Sequence, residues 1–373
     1  MYIYDLETYA DEIVAGRFDI RDLPSHLEGV NCYYCHTVER IDADHNNQMC
    51  LTDECGTERE NPPMLGGISK PNPNSFHASA SSPLLDGRDM ASSNLCGGCH
   101  DIVTPDGIHI ERTFHEWKNS VFGKEDMGQP LTCNQCHMPG FDGSSSAGPN
   151  GRTRRLHDHS MPGVDTALIP FPQRDEQMAA VQSLLDNTLL PRICVDDDEL
   201  SPSVSIGLEN IAAGHSWPSG AASDRRAWVE MTFYKNDEVI FQAGHVPEGE
   251  AVTEQVDPDL WRLGDKALDE DGEEVHLFWQ AKTYESNLLI ASKDNSPFSH
   301  GSRLTHVTRE YPLEAVPDRV EMRVKLRPMG LDIIDSLIDS GDLDAGIRDL
   351  IPTFTLRSTD ITWSPDLGDC YPY

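Results

Sequence analysis

Three copies of one pentapeptide hold the chain's most concentrated chemistry: Cys32-Tyr-Tyr-Cys35-His36, Cys96-Gly-Gly-Cys99-His100 and Cys133-Asn-Gln-Cys136-His137. Two thiols three residues apart, followed at once by an imidazole, form the attachment pattern of c-type haem. The thiols add to the porphyrin vinyl groups and the imidazole meets the iron. At this chain's Cys and His frequencies, roughly one hundredth of a match is expected by chance. Zinc sites combine Cys-x-x-Cys pairs in twos or add a more distant His, and need no His directly after each pair. A dithiol redox enzyme needs one such motif opening a helix after a strand. The expected cofactors are therefore three covalently attached haem c groups, their iron held on one side by His36, His100 and His137.

A second imidazole for each iron has to come from elsewhere in the chain. His77 lies in Ser75-Phe-His-Ala-Ser79, where Ser75 would cap a short helix and Phe76 would pack on a porphyrin. His157 and His159 flank Asp158, and Asp158 or a backbone carbonyl can fix the tautomer of a ligating ring. His215 sits in a Gly-His turn and reads equally as a structural turn residue or as an axial ligand. His26, His45 and His115 are weaker candidates, each also readable as a surface histidine. Arg154 and Arg155 are expected to meet haem propionates, since a guanidinium pairs with a carboxylate through two hydrogen bonds. Met161 is an alternative axial sulfur; Met138 directly follows His137 and cannot reach the opposite face of the same haem.

The elements that must position these groups differ along the chain. The first 28 residues pattern as a short amphipathic helix broken at Leu23-Pro24. Asn61-Pro-Pro63, Gly66-Gly67 and Pro71-Asn-Pro-Asn74 make the stretch between the first two motifs loop-rich. Such a composition cannot build its own core, so the haems are expected to serve as one. Phe114, Trp117 and Val121 have helical spacing, and a Gly/Ser loop spans Gly143 to Gly148. A helix is expected over Arg174 to Leu190, ending before Pro191. Beyond it, strands are expected at Val204–Leu208, Ala227–Tyr234, Glu238–Phe241, Val275–Trp279, Arg319–Leu326 and Phe354–Trp363. Lys235–Glu238 should form a hairpin turn, and Gly330–Leu350 a late helical excursion. The fold class is thus α+β: a mostly irregular multihaem domain with short helices over 1–172, a linking helix over 173–197 and an antiparallel β-sandwich over 198–373.

Composition bounds the partners and the compartment. The 373 residues carry 63 Asp and Glu against 29 Lys and Arg, a formal charge of -34, with 38% hydrophobic residues, enough for a folded core. That surface repels nucleic acid and anionic lipid; it suits a cationic partner, metal ions or solvation in salt. Covalent haem attachment takes place outside the cytoplasm, so Cys50, Cys55, Cys194 and Cys370 are free to oxidise, as Cys50–Cys55 and Cys194–Cys370. No apolar h-region opens the sequence and no apolar run of 18 residues occurs, which reads as a mature, soluble, exported protein, periplasmic or extracellular, its signal or anchor outside the sequence.

Leu95-Cys-Gly-Gly-Cys-His-Asp101, Glu116-Trp117-x-x-Ser120 and Leu131-Thr-Cys-Asn-Gln-Cys-His-Met-Pro139 resemble the haem region of the multihaem c-type cytochromes of bacterial extracytoplasmic electron transfer. Gly214-His215-Ser-Trp-Pro218-Ser-Gly220, followed by Arg226-Ala-Trp-Val-Glu230, resembles the Gly-His-x-x-Pro-Thr-Gly…Arg element that opens that family's C-terminal β-sandwich. Here Ser219 replaces Thr and Trp217 stands where Phe is common. The resemblance implies electron transfer through closely packed haems with two axial histidines each, exchanging electrons with other redox proteins or cytochromes. Two alternatives stand beside it: a haem enzyme with one open iron reducing a small molecule, and a self-assembling subunit of a filament or membrane-associated complex.

Overall fold

The computed structural model describes residues 30, 32–52, 55, 62–71, 78–127, 130–145, 151–169, 171–293 and 305–372. His26, His77 and the helices expected over the first 28 residues and after Ser75 lie outside them.

Up to residue 169 the elements are short. Helices α1 (Cys32–Cys35), α2 (Ser92–Cys99), α3 (Thr113–Lys118) and α4 (Cys133–His137) alternate with two-stranded ladders. The ladders are β1 (Val38–Ile41) with β2 (Met49–Leu51), β3 (Met64–Gly66) with β4 (Ser79–Ser81), β5 (Ile102–Val103) with β6 (His109–Glu111), and β7 (Gly140–Ser144) with β8 (Thr153–His157). All but the parallel β3–β4 pair are antiparallel. Among the described residues here, buried apolar side chains are few, among them Val38, Leu51, Leu65, Phe114 and Trp117.

Helix α5 (Arg174–Leu185) leads into β9 (Leu189–Asp196) and β10 (Ser203–Asn210). Then follow β11 (Arg226–Lys235), β12 (Glu238–Ala243), β13 (Trp261–Leu263), β14 (Asp265–Leu268), β15 (Thr283–Ser286), β16 (His306–Pro312), β17 (Arg319–Arg327), α6 (Leu331–Asp339), β18 (Phe354–Trp363) and β19 (Cys370–Tyr371). One antiparallel sheet runs β16-β10-β9-β19; the other runs β12-β11-β17-β18, with β13 also on β11. Both sheets feed one apolar core: Ile193, Val204, Ile206 and Leu208 from the first, Val229, Phe233, Val320, Val324, Leu326 and Leu356 from the second. Strand β17 shows why. Val320, Met322, Val324 and Leu326 alternate with Arg319, Glu321, Arg323 and Lys325, and a pleated strand sends alternate residues to opposite faces. The β11–β12 turn places Asn236 and Asp237 at φ 52° and 63°, left-handed positions that these two side chains tolerate.

Three expectations change. The helix expected to reach Leu190 ends at Leu185, and Leu189, Pro191, Ile193 and Val195 instead supply the buried face of β9. Pro191 is tolerated because β19 pairs only with Ile193 and Cys194, which leaves Pro191 on an open edge. Val275–Trp279 is no strand: Gln280 and Ala281 donate backbone hydrogen bonds to Leu277 and Phe278 in a tight turn, with Trp279 exposed. Val275, Leu277 and Trp279 do recur at every second position, but Leu277 and Phe278 are exposed as well, so the run packs no face against a sheet. Gly330–Leu350 divides into α6 and a 3-10 turn at Ala345–Leu350. Both anticipated disulfides form, and Cys194–Cys370 ties the C-terminal β19 onto β9.

On the far side of β11 from the core, buried Glu230 takes charged hydrogen bonds from Arg323 and from Lys325, the latter at 2.6 Å. Burial pushes the Glu230 carboxyl up, but these two cations outweigh it and hold the group below the usual carboxylate range. Its contribution to stability is therefore complete above the unfolded-state carboxylate range and is lost as pH falls through the lower, folded value. Glu230→Gln is expected to lose about 1–3 kcal/mol at neutral pH and to flatten the acid limb of a stability-versus-pH curve measured by urea denaturation.

Candidate haem centres

A helix brings residues three and four apart onto one face, so a single turn aligns both thiols of each motif with the imidazole that follows. The three turns are built differently. In α4, Thr132 and Gln135 form a reciprocal cap: Thr132 Oγ1 accepts from Gln135 N at 3.2 Å, and Gln135 Oε1 accepts from Thr132 N at 2.9 Å. Thr132 Oγ1 also donates to Gly87 O. In α2, Gly97 lies so close to Phe114 that an added Cβ would stand 2.4 Å from the ring.

The motifs are clamped together. Ser93 of α2 accepts from Cys133 N at 3.1 Å, which ties the helices of the second and third motifs. The β1–β2 turn behind the first motif reaches the second. Asn46 N donates to Asp101 O, and its side chain accepts from Val103 N and donates to Val103 O. Asn47 N donates to Gly98 O.

Two imidazole pairs face each other. His36 and His159 have ring centroids 6.4 Å apart with planes 28° from parallel; His137 and His215 are likewise 6.4 Å apart, with planes 15° from parallel. Imidazole nitrogen binds a transition metal at about 2 Å, so two rings sharing one metal through their outer nitrogens hold their centroids about 6 Å apart. In each pair one ring belongs to a Cys-x-x-Cys-His motif and the other comes from a distant segment. All four Nδ1 atoms donate to backbone carbonyls: His36 to Leu65 at 2.6 Å, His159 to His157 at 2.8 Å, His137 to Pro162 at 2.8 Å and His215 to Ser216 at 2.9 Å. That contact leaves Nε2 as the free acceptor, the arrangement of metal-ligating histidine. Burial holds His137 low and takes His215 down to about 4, so both rings are neutral at pH 7 and able to ligate. Thiols, imidazoles and spacing thus fit covalently held haem.

The remaining candidates fall into place around these pairs. His157 follows the same rule, with Nδ1 to Met138 O at 2.8 Å, and its ring lies against Gly87. Among the described residues no imidazole ring stacks on His157 or His100. Asp158 turns away to Ser160 N, so a carbonyl, not the carboxylate, orients His159. Arg154 and Arg155 occupy successive positions of β8 and leave its opposite faces; Arg155 reaches Asp142 at 3.9 Å. His115 packs on His109 and Asn119, and His45 beside Asp44 and Gln48. Met161 is half exposed at φ 42°.

Groups not singled out from sequence complete the site. Glu111 Oε1 lies 3.0 Å from His100 Nδ1, and this hydrogen bond, against burial, raises the imidazole's affinity for a proton. Glu116 Oε2 accepts from Ser216 N at 3.1 Å, which fixes the Gly214–Gly220 loop to α3. Arg112 crosses to Asp265 at 2.8 Å and lies over the Tyr284 ring. The signal for Glu111 was one of register: β5 and β6 pair Ile102 with Glu111, returning the carboxylate to the neighbourhood of residue 100.

The two glycines of the second motif should respond unequally to an added methyl. Gly97→Ala meets the Phe114 ring and is expected to cost about 1–3 kcal/mol. Gly98→Ala meets only the terminal methyl of Met49, a flexible thioether that can swing aside, and is expected to cost less than about 1 kcal/mol. Urea denaturation of the two holoprotein variants, followed by circular dichroism, compares them.

No protein-family model matches the chain, and no curated protein matches its sequence. A solved structure does match. The penta-heme cytochrome c552 from Thermochromatium tepidum superposes with a TM-score of 0.57 at 16% sequence identity, over 95% of this chain and 81% of that one. The chain thus has the fold of that multihaem cytochrome.

Proposed function

We propose that this protein is an extracytoplasmic cytochrome that carries electrons through three covalently bound haems and exchanges them with other redox proteins. The observation that supports this reading most is the pair of facing imidazole couples, His36 with His159 and His137 with His215, each 6.4 Å apart and each locked at Nδ1 by a carbonyl. When bound, the haem iron supplies one-electron chemistry between its ferric and ferrous states. Cys32, Cys35, Cys96, Cys99, Cys133 and Cys136 attach the porphyrins; His36, His100 and His137 hold the iron from the motif side.

His159 and His215 fill the opposite sites of the irons at His36 and His137, and the opposite site at His100 falls to the remaining sequence candidates, His77 and His157. An iron with both axial positions taken by protein has nowhere to bind a substrate, which restricts the site to electron exchange. The acidic surface, with its formal charge of -34, favours a cationic redox partner over nucleic acid or anionic membrane. Two disulfides fit an oxidising compartment, and no described helix is long and apolar enough to cross a membrane. Two antiparallel sheets on a common core support a β-sandwich whose first strand, β9, begins at Leu189 and so ahead of the expected residue 198, preceded by a haem domain to about residue 172.

A pyridine haemochrome assay with a dithionite titration tests the reading. Three haems per chain accepting three electrons, without a spectral shift under carbon monoxide, is the expected result. A fraction that binds carbon monoxide would move the protein to small-molecule reduction at an open iron.

A further inference from the structure

Among the described residues, His100 differs from His36, His137, His157, His159 and His215 in what holds its ring. His36, His137, His157, His159 and His215 each give Nδ1 to a neutral backbone carbonyl, whereas His100 gives its Nδ1 to the carboxylate of Glu111, at 3.0 Å. Glu111 is no casual surface partner: its side chain is only 17% exposed. The β5–β6 register positions its backbone opposite Ile102, and Thr113 Oγ1 reaches its Oε1 at 3.5 Å. Thr113 is itself gripped by Ser219 Oγ at 2.7 Å and by Gly220 N at 3.2 Å. The loop that delivers His215 to His137 thus also anchors, through Thr113, the carboxylate behind His100.

A carboxylate accepting the Nδ1 proton of a metal-bound imidazole draws that proton toward itself and makes the ring a stronger electron donor. Added electron density and a nearby negative charge both stabilise ferric over ferrous iron, and hydrogen bonding to the ligand is one of the levers that set a haem potential. We infer that Glu111 is a positioning and potential-setting residue that makes the haem attached at Cys96 and Cys99 the lowest-potential of the three. The carbonyl-held rings of the other two motifs leave their haems higher. Electrons then reside last on the central motif's haem when the chain is filled. This inference rests on the haem reading above.

Spectroelectrochemical titration of the purified holoprotein and its Glu111→Gln variant, with haem counted in both by pyridine haemochrome, tests it. The wild type should hold three haems, and a lower count sinks the haem reading itself, before any potential is compared. In Glu111→Gln the lowest of three components should move upward by about a tenfold change in the oxidised-to-reduced ratio at fixed potential, ~59 mV for one electron, with the other two unmoved. Glu111→Asp should recover part of the shift. If Glu111→Gln loses haem or fails to fold, Thr113→Val, which loosens Glu111 and leaves its charge, should move the same component upward by less. Unmoved potentials, or three that move together, overturn the assignment.

Discussion

The hydrogen bond from imidazole Nδ1 to a fixed backbone carbonyl is the small interaction on which the haem centres depend. It orients a ring that would otherwise rotate, selects the tautomer and aims the remaining nitrogen outward. His36, His137, His157, His159 and His215 use it, and the carbonyls come from Leu65, Met138, His157, Pro162 and Ser216. The first four of those carbonyls are placed by local structure with no large core beneath them, whereas Ser216 adjoins Trp217 of the main core. Leu65 lies in β3, where its N–H also returns to His36 O at 2.7 Å. His157 ends β8, so the strand that orients its own ring also orients His159.

A region with so little apolar packing has to borrow rigidity. It does so from the strand-rich part of the chain through α3. Glu116 holds Ser216 N, Thr113 holds Ser219 and Gly220, Arg112 reaches Asp265, and Val121 N donates to Ser292 O at 2.9 Å. The loop so fastened begins at Gly214, whose φ of +77° is a left-handed value that a side chain would strain. His215 follows, fully committed to His137. The well-packed sheets give this loop a rigid base, which is how a deep core with Val204, Val229 and Leu326 wholly buried serves a site built almost without one.

Legibility followed the range of the interactions. The thiol–imidazole motifs are contiguous, and so were plain in the sequence; strands β10, β11, β17 and β18 alternate strongly enough to show their buried face. Thr132-x-x-Gln135 is an equally local capping signal. The Leu189–Asp196 strand was hidden by Pro191, which reads as a break until the short reach of β19 makes that edge tolerant. His159 and His215 were legible as candidates from their neighbours, but their partners were not. Pairing His36 with His159 spans more than a hundred residues, and no periodicity records it. The sequence left Asp158 and a backbone carbonyl as alternatives for orienting His159; the carbonyl of His157 does so, and the Asp158 carboxylate accepts from Ser160 N.

The central claim is that His159 and His215 complete two irons whose other ligands are His36 and His137. Low-temperature electron paramagnetic resonance of the oxidised holoprotein, compared with the His159→Ala and His215→Ala variants at equal haem content, addresses it directly. Each variant should convert one haem in three from a low-spin to a high-spin signal, and the double variant two in three. Variants that keep the full wild-type low-spin spectrum would mean that these rings face His36 and His137 without ligating, and the pairing would be wrong.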